Sequence, residues 1–154
     1  AEEFGADQVI LNKPAFFKKK IMTLTKNEGV DAVFDPIGGD VFTESIRCLK
    51  PEGRIIPIGF ASGRIPSIPT NLLLVKNITV CGLNMGLYFG WGPVDHREKY
   101  KPTMDRLINQ LFDLYLNGKI NPKVSNTFKL SEASDAMNLI LDQKTIGRIS
   151  IKFE

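Results

Sequence analysis

The stretch GVDAVFDPIGGD, residues 29–40, decides the fold of this chain. Its apolar part, VDAVF at residues 30–34, is too short for a helix and too continuous for a strand that exposes one face to solvent. This pattern predicts a parallel strand that is buried on both faces. Asp35, a proline and paired glycines follow, so the strand is expected to stop there.

The turn after this strand has two interpretations. Pro36 ends the strand, and Gly38 and Gly39 have no Cβ atoms to keep a ligand away from the backbone. Ligands of open α/β sheets bind outside the carboxyl ends of the strands, where this turn would lie. The alternative is an ordinary strand-to-helix turn with Asp40 as the helix N-cap. Taken alone, the motif favours the ordinary turn, because a pair of glycines is common at turns.

Length and composition indicate one globular domain, since the 154 residues are 43% hydrophobic and carry a net charge of only +3. The basic residues are scattered, apart from a triplet at residues 18–20 on a helical pattern, so no nucleic-acid partner is expected. No apolar stretch approaches the roughly 20 residues that span a bilayer, and no signal peptide is visible, so no membrane association is expected. Cys48 and Cys81 lie in apolar segments and predict free thiols in a reducing compartment. The first residue is not Met, which suggests a start inside a longer protein.

Strands and helices alternate along the rest of the chain, which favours a parallel sheet with helices on both faces. The predicted strands are residues 8–11, 30–35, 54–60, 77–83, 124–130 and 147–153. The predicted helices are residues 14–26, 40–49, 71–76, 102–116 and 133–141. Gly5 is expected to cap a helix end, Ser131 to be an N-cap, and residues 84–96 to form a mobile surface loop. Pro57 is expected at a sheet edge or a bulge.

The sequence lacks the common motifs of catalytic chemistry. It contains no HExxH, CxxC, P-loop or GxSxG motif. His96 is the single histidine and lies in a polar loop, so we expect it to be exposed and to have no catalytic role. A zinc site needs three or four ligands, and the two separated cysteines do not supply them, so no zinc site is expected. What remains is a set of strand ends with small residues, which suits the binding of a flat or extended ligand.

Four segments carry a resemblance to a known family: VDAVFDPIGGD at 30–40, LKPEGRI at 49–55, IGFASG at 58–63 and IGRISI at 146–151. From about Phe4 to its end, the chain resembles the C-terminal half of the zinc-free quinone oxidoreductases, the zeta-crystallin branch of the medium-chain dehydrogenase/reductase superfamily. The resemblance implies an α/β fold: part of a Rossmann-type doubly wound parallel sheet, strands 3 to 6, followed by strands and a helix that return to the catalytic domain. Residues 1–118 would belong to the NAD(P)-binding domain and residues 119–154 to the returning segment.

The resemblance also implies a function: metal-free hydride transfer from NADPH to a quinone or to the activated double bond of an enone. Three strand ends of the family line the nicotinamide half of the cofactor pocket, the last through backbone groups. The matching residues here are Ile37, Gly38 and Gly39, then Ile58, Gly59, Phe60 and Ala61, then Leu83, Asn84 and Met85. No side chain is assigned as acid or base, because the cofactor supplies the chemistry. The alternatives are an alkenal or prostaglandin-type reductase and a non-catalytic crystallin-like or trafficking-type protein.

Several family features are missing or altered in these residues. These residues do not include the Gly-rich phosphate loop, the first two strands or the N-terminal catalytic domain of the family. The determinants of NADP or NAD preference lie in those missing parts. The isolated chain is therefore expected to bind NADPH weakly and to reduce nothing. Pro57 stands where the family usually has a β-branched residue, and Arg148 stands where the family commonly has a lysine. Residues 78–83, as the last strand of the sheet, are expected to join two copies into a homodimer, and a cytoplasmic location is expected, with the mitochondrion as the alternative.

Overall fold

A computed structural model of the chain describes residues 1–10, 17–142 and 144–153. These residues form two compact units, residues 1–92 and residues 93–154. In chain order the elements are a short 3-10 helix (Glu2–Phe4), α1 (Phe17–Leu24), β1 (Val30–Asp35), α2 (Gly39–Cys48), β2 (Leu49–Pro57), α3 (Thr70–Lys76), β3 (Thr79–Val80), α4 (Met85–Tyr88), α5 (Arg97–Leu116), β4 (Val124–Lys129), a second 3-10 helix (Leu130–Glu132), α6 (Ala133–Leu141) and β5 (Arg148–Lys152).

The first unit contains a parallel sheet in the order β1-β2-β3. Val33 pairs with Ile55 and Ile55 pairs with Val80, so these side chains share one face of the sheet. Phe42 and Ile46 of α2 pack on this face and are almost fully buried. Burial of each such side chain contributes about 1.5–3 kcal/mol. The core of this unit therefore lies between α2, α3 and one side of the sheet.

The opposite face of the sheet differs from the prediction. Phe34 pairs with Ile56 on that face and is 65% exposed. The prediction that β1 is buried on both faces is therefore wrong, because both α2 and α3 pack on the face that carries Val33. The alternating parallel α/β architecture itself is confirmed.

Several predicted boundaries need correction in the first unit. Residues 8–10 are not a strand, because no neighbouring strand pairs with them, and Leu11 lies outside the described residues. The predicted helix 14–26 is observed as Phe17–Leu24, and its residues 14–16 also lie outside them. β2 begins at Leu49, directly after α2, and the predicted strand 77–83 is reduced to the two residues of β3. The predicted loop 84–96 contains the short helix α4.

Pro57 is the last residue of the central strand rather than an edge or bulge residue. Its missing N–H is tolerated there because β3 pairs with Arg54 and Ile55 of β2, so this ladder does not extend to position 57. The irregular register lies at the other end of the strand pair, between Val30 and Ala32. Gly5, in contrast, caps the first 3-10 helix with a φ of 88°, as predicted.

The second unit contains a two-stranded parallel sheet of β4 and β5, with α6 packed on β4. Helix α5 begins at Arg97, five residues before the predicted start at Pro102, because Asp95 accepts a hydrogen bond from the Arg97 backbone N–H at 3.0 Å. Ser131 lies inside the second 3-10 helix, and Glu132 is the N-cap of α6. The predicted helix 133–141 is confirmed, and the predicted strands 124–130 and 147–153 are each observed one or two residues shorter.

None of the helices in the described ranges combines the length and the apolar character that crossing a lipid bilayer requires. The domain boundary that the resemblance places after residue 118 stays a prediction.

Candidate functional site

Asp35 organises the turn that follows β1. Its side chain is 2% exposed, and its Oδ1 accepts hydrogen bonds from the backbone N–H of Ile37 at 2.9 Å and of Gly38 at 3.1 Å. This is the turn that aspartate forms with the amide two residues onward. Gly38 has φ 71° and ψ −157°, a region open essentially to glycine alone. Gly38, not Asp40, is the N-cap of α2, which corrects the prediction for Asp40.

The segment after β1 and the segment after β2 are joined by backbone hydrogen bonds. Ile58 N–H donates to the Asp35 carbonyl at 2.9 Å, Ala61 N–H to the Pro36 carbonyl at 3.0 Å, and Ser62 N–H to the Ile37 carbonyl at 2.9 Å. The segments that follow the two strands are therefore held together by backbone hydrogen bonds, in a register different from that of the strands. We call residues 36–39 the first loop and residues 58–64 the second loop.

The two glycines of the first loop allow the second loop to approach closely. A Cβ atom at Gly38 would lie 2.8 Å from Cδ1 of Phe60, and one at Gly39 would lie 2.9 Å from Oγ of Ser62. Side-chain atoms are almost never found this close, so neither position tolerates a side chain without displacement. The glycines thus have a structural role, and the predicted contact with a ligand stays a prediction.

Asp40 and Arg64 add an ion pair between α2 and the second loop. Arg64 Nη2 donates to Asp40 Oδ2, while the Gly39 N–H donates to the Arg64 carbonyl at 3.0 Å. Both side chains are more than half exposed, so the ion pair contributes at most about 1 kcal/mol. The negative charge of Asp40 in the first turn of α2 also complements the helix dipole.

An open cleft of about 640 Å³ lies where β2 and β3 end. Its walls are mainly apolar and include backbone of both strand ends. Gly82 faces it, and a Cβ atom there would meet no other atom within 4 Å, so the missing side chain widens the cleft. The lining residues are Pro57, Ile58, Gly59, Phe60, Gly82, Leu83, Asn84, Leu87 and Tyr88.

The structure brings most of the predicted site residues together. Ile58, Gly59 and Phe60 share the cleft with Leu83 and Asn84. The first loop, with Ile37, Gly38 and Gly39, is bonded to the second loop, with Ala61. Met85 begins α4 and is not among the residues that line the cleft, while Asn84 Oδ1 accepts the Gly86 N–H at 3.0 Å and so caps that helix.

Sequence reasoning missed Asp35, Leu87 and Tyr88. The Asp-Pro-x-Gly pattern is a turn signal with a known side-chain hydrogen bond, so the role of Asp35 could have been found. Leu87 and Tyr88 were not identified because residues 84–96 were predicted to be a loop. They line the cleft from helix α4.

Among the described residues, no group of three or more His, Cys, Asp or Glu side chains is placed to hold a metal ion. Cys48 is buried in α2, and its thiol donates to the Glu44 carbonyl at 3.3 Å. Burial, and then the charge of Glu44, raise the pKa of this thiol, which disfavours the thiolate that binds metal. Cys81 and His96 lie in different units. These residues do not fit a zinc site, for which three or four ligands are needed.

Residues 1–109 match the family described as zinc-binding dehydrogenase. The chain belongs to this family. It is 36% identical over 151 residues to the "Quinone oxidoreductase-like protein 2 homolog" of Nematostella vectensis, covering 97% of this chain and 39% of the relative. It is 33% identical over 154 residues to the "Quinone oxidoreductase-like protein 2" of Bos taurus, covering 100% of this chain and 42% of the relative. The chain therefore spans about two fifths of the length of these relatives.

Among solved structures, a mycobacterial protein complexed with NADPH matches with a TM-score of 0.79 and 22% identity, over 97% of this chain and 45% of that one. At this identity the match shows the shared fold alone. These matches confirm the resemblance of this zinc-binding dehydrogenase family member to the C-terminal half of quinone oxidoreductases in the medium-chain superfamily. The shared fold confirms the Rossmann-type α/β class. The family is one of oxidoreductases.

Proposed function

We propose that this chain is the nicotinamide-side part of an NADPH-dependent oxidoreductase that reduces quinones or the activated double bonds of enones without a metal. The observation that carries the proposal is the convergence of two strand ends on one apolar cleft, with the first loop bonded to its rim. The relatives named quinone oxidoreductase-like protein 2 support this substrate class, and the neighbour complexed with NADPH supports the cofactor.

The cleft has the chemistry that a flat, weakly polar ring requires. Phe60, Tyr88 and Leu87 supply apolar walls, and the backbone of Leu83 and Asn84 would supply polar groups for a carboxamide. NADPH, when bound, supplies the hydride. The protein residues would orient the ring against this wall and exclude water from one side of it. The residues proposed to hold the cofactor are the ten predicted ones at 37–39, 58–61 and 83–85.

The proposal covers the wider setting of these residues as well. In the whole protein, residues 1–118 would belong to the NAD(P)-binding domain and residues 119–154 to the segment that returns to the catalytic domain. Because Cys48 and Cys81 are both free thiols, we propose a reducing compartment such as the cytoplasm. Since the Gly-rich phosphate loop is not among these residues, the 154 residues alone would bind NADPH weakly.

The test is NADPH oxidation by the full-length protein with a benzoquinone, an alkenal and a prostaglandin-type enone, each in the presence of a metal chelator. We expect turnover with the benzoquinone that the chelator leaves unchanged. Preference for the alkenal or the prostaglandin-type enone would select the alternative reductase class. Absence of both turnover and NADPH binding would contradict the proposal and favour a non-catalytic role.

A pair of variants locates the cofactor at the cleft. Gly82→Leu would place a side chain in the cleft, where its Cβ meets no protein atom, and should weaken NADPH binding. Cys81→Leu changes the neighbouring exposed residue, which does not line the cleft, and should bind NADPH like the wild type. Equal affinities of the two variants would place the nicotinamide elsewhere.

A further inference from the structure

Asp35 is bonded to both loops of the proposed cofactor wall. Its carboxylate accepts the N–H groups of Ile37 and Gly38 in the first loop, and its carbonyl accepts the N–H of Ile58 in the second loop. Ile58 itself lines the cleft. One buried residue therefore sets the position of two segments that sequence similarity assigns to the cofactor.

The first loop needs such a restraint because its two glycines have access to many other backbone conformations. Gly38 has φ 71° and ψ −157°, and Gly39 has φ 53°. Neighbouring hydrogen bonds must therefore select this one conformation. Asp35 Oδ1 lies at 2.9 and 3.1 Å from the two amides, and Oδ2 lies at 3.3 Å from the Gly38 amide. Hydrogen bonds to an ionised acceptor are roughly twice as strong as those between neutral groups.

The position of Gly38 also fixes Phe60. The two residues are in such close contact that no Cβ atom would fit between them, and the ring of Phe60 forms part of the cleft wall. A first loop released from Asp35 would no longer hold the second loop at this distance. The effect of Asp35 would thus reach the cleft through Gly38 and Phe60.

We propose that Asp35 is a positioning residue for the cofactor: its buried carboxylate holds the first loop in the conformation that presents the nicotinamide wall. This inference rests on the proposed NADPH-dependent function. Without the carboxylate, the loop occupies the competent conformation for only a fraction of the time, and the apparent affinity for NADPH falls by that fraction. Saturating NADPH draws the loop back to the competent conformation, so KM for NADPH rises while kcat changes little.

The test compares three variants of the full-length protein at a temperature at which each is folded. Asp35→Ala removes both side-chain acceptors but keeps the backbone carbonyl, and should raise the dissociation constant for NADPH by about tenfold. Asp35→Asn keeps one oxygen but loses the charge, and should raise it by about threefold. Asp31→Asn is the matched control, since Asp31 lies at the start of the same strand, is exposed and pairs only with Lys50 among the described residues. It should bind NADPH like the wild type.

The readouts are NADPH binding by calorimetry, KM and kcat for NADPH, and the melting temperature. A purely structural role for Asp35 would lower the melting temperature and leave the dissociation constant of the folded protein unchanged. Asp35→Ala that is folded and binds NADPH like the wild type overturns the inference. If Asp35→Ala does not fold, Asp35→Asn decides: affinity equal to that of Asp31→Asn overturns the inference, and affinity about threefold weaker supports it. Failure of the wild type to bind NADPH overturns the proposed function itself.

Discussion

Gly38 and Phe60 are in contact in a way that only glycine allows, because a Cβ atom at position 38 would lie 2.8 Å from Cδ1 of Phe60 and 3.0 Å from the Arg64 carbonyl oxygen. The two loops after β1 and β2 can therefore share backbone hydrogen bonds along their length. The paired glycines of the sequence serve this close approach of one loop to the other.

Gly38→Ala should lower the free energy of unfolding by about 3 kcal/mol, because strain in a glycine-only conformation is added to the collision with Phe60. Gly63→Ala is the control: its φ of 73° is also positive, but a Cβ atom there meets nothing within 4 Å, so we expect a loss of about 1 kcal/mol. Urea denaturation measures both values. Equal losses would mean that the contact with Phe60 adds nothing.

Lys76→Met should destabilise the protein by about 1–3 kcal/mol, since Lys76 Nζ donates to the Leu49 carbonyl at 2.7 Å and to the Arg47 carbonyl at 3.2 Å. These carbonyls lie at the C-terminal end of α2, where a positive charge is favourable. Lys101→Met, which breaks only the exposed ion pair with Asp105, should have a much smaller effect on the free energy of unfolding. Similar losses for the two variants in urea denaturation would contradict the assignment.

Asp95 should remain ionised to unusually low pH. Side-chain hydrogen bonds from Arg97, and then the Arg97 backbone N–H, lower the pKa of Asp95 to about 2. Because the folded pKa lies below the unfolded one, the stabilisation is present above the unfolded pKa and is lost as the pH falls through about 2. NMR titration of the carboxyl carbon measures the value. Arg97→Gln should raise the pKa towards the ordinary aspartate range, and Lys99→Gln should leave it low.

The two cysteines should differ sharply in reactivity. Cys81 is exposed, whereas Cys48 is fully buried and its raised pKa disfavours the reactive thiolate. Mass spectrometry after treatment with iodoacetamide should find Cys81 modified in the native protein and Cys48 modified only in denaturant. In Cys81→Ser the native protein should take up no label at these two positions. Rapid native labelling of Cys48 would show that α2 opens readily.

A homodimer through residues 78–83 stays a prediction, which the edge position of β3 makes testable. The amides of Cys81 and Leu83 donate to β2, so by alternation the Gly82 amide points to the open edge. Gly82→Pro would remove that donor and should shift the full-length protein towards the monomer in sedimentation equilibrium. Cys81→Ser, which retains every backbone donor, should sediment like the wild type. A wild type that is monomeric at all micromolar concentrations would contradict the prediction.

Much of the fold could be predicted from the sequence because its signals are local. The apolar run before Asp35 gave β1 with its correct bounds, and the helices predicted at residues 71–76 and 133–141 are observed at or within one residue of those bounds. The start of α5 was placed too late because Pro102 resembles a first helical residue. The helix instead begins at Arg97, after the N-cap residue His96, where the Asp95 carboxylate accepts the Arg97 N–H in a local turn.

The sequence by itself determined the alternating α/β class and the position of the turn at residues 35–39, because these depend on residue types at short spacing. It also indicated the family, through the resemblance of four segments to known members. Only the tertiary structure decided that Gly38 packs against Phe60, that Asp35 bonds both loops, and that Leu87 and Tyr88 reach the cleft. It also decided that the Phe34 face of the sheet is exposed. The physical reason is that these contacts join residues far apart in the chain, whose distance depends on strand register and on which helices cover each face.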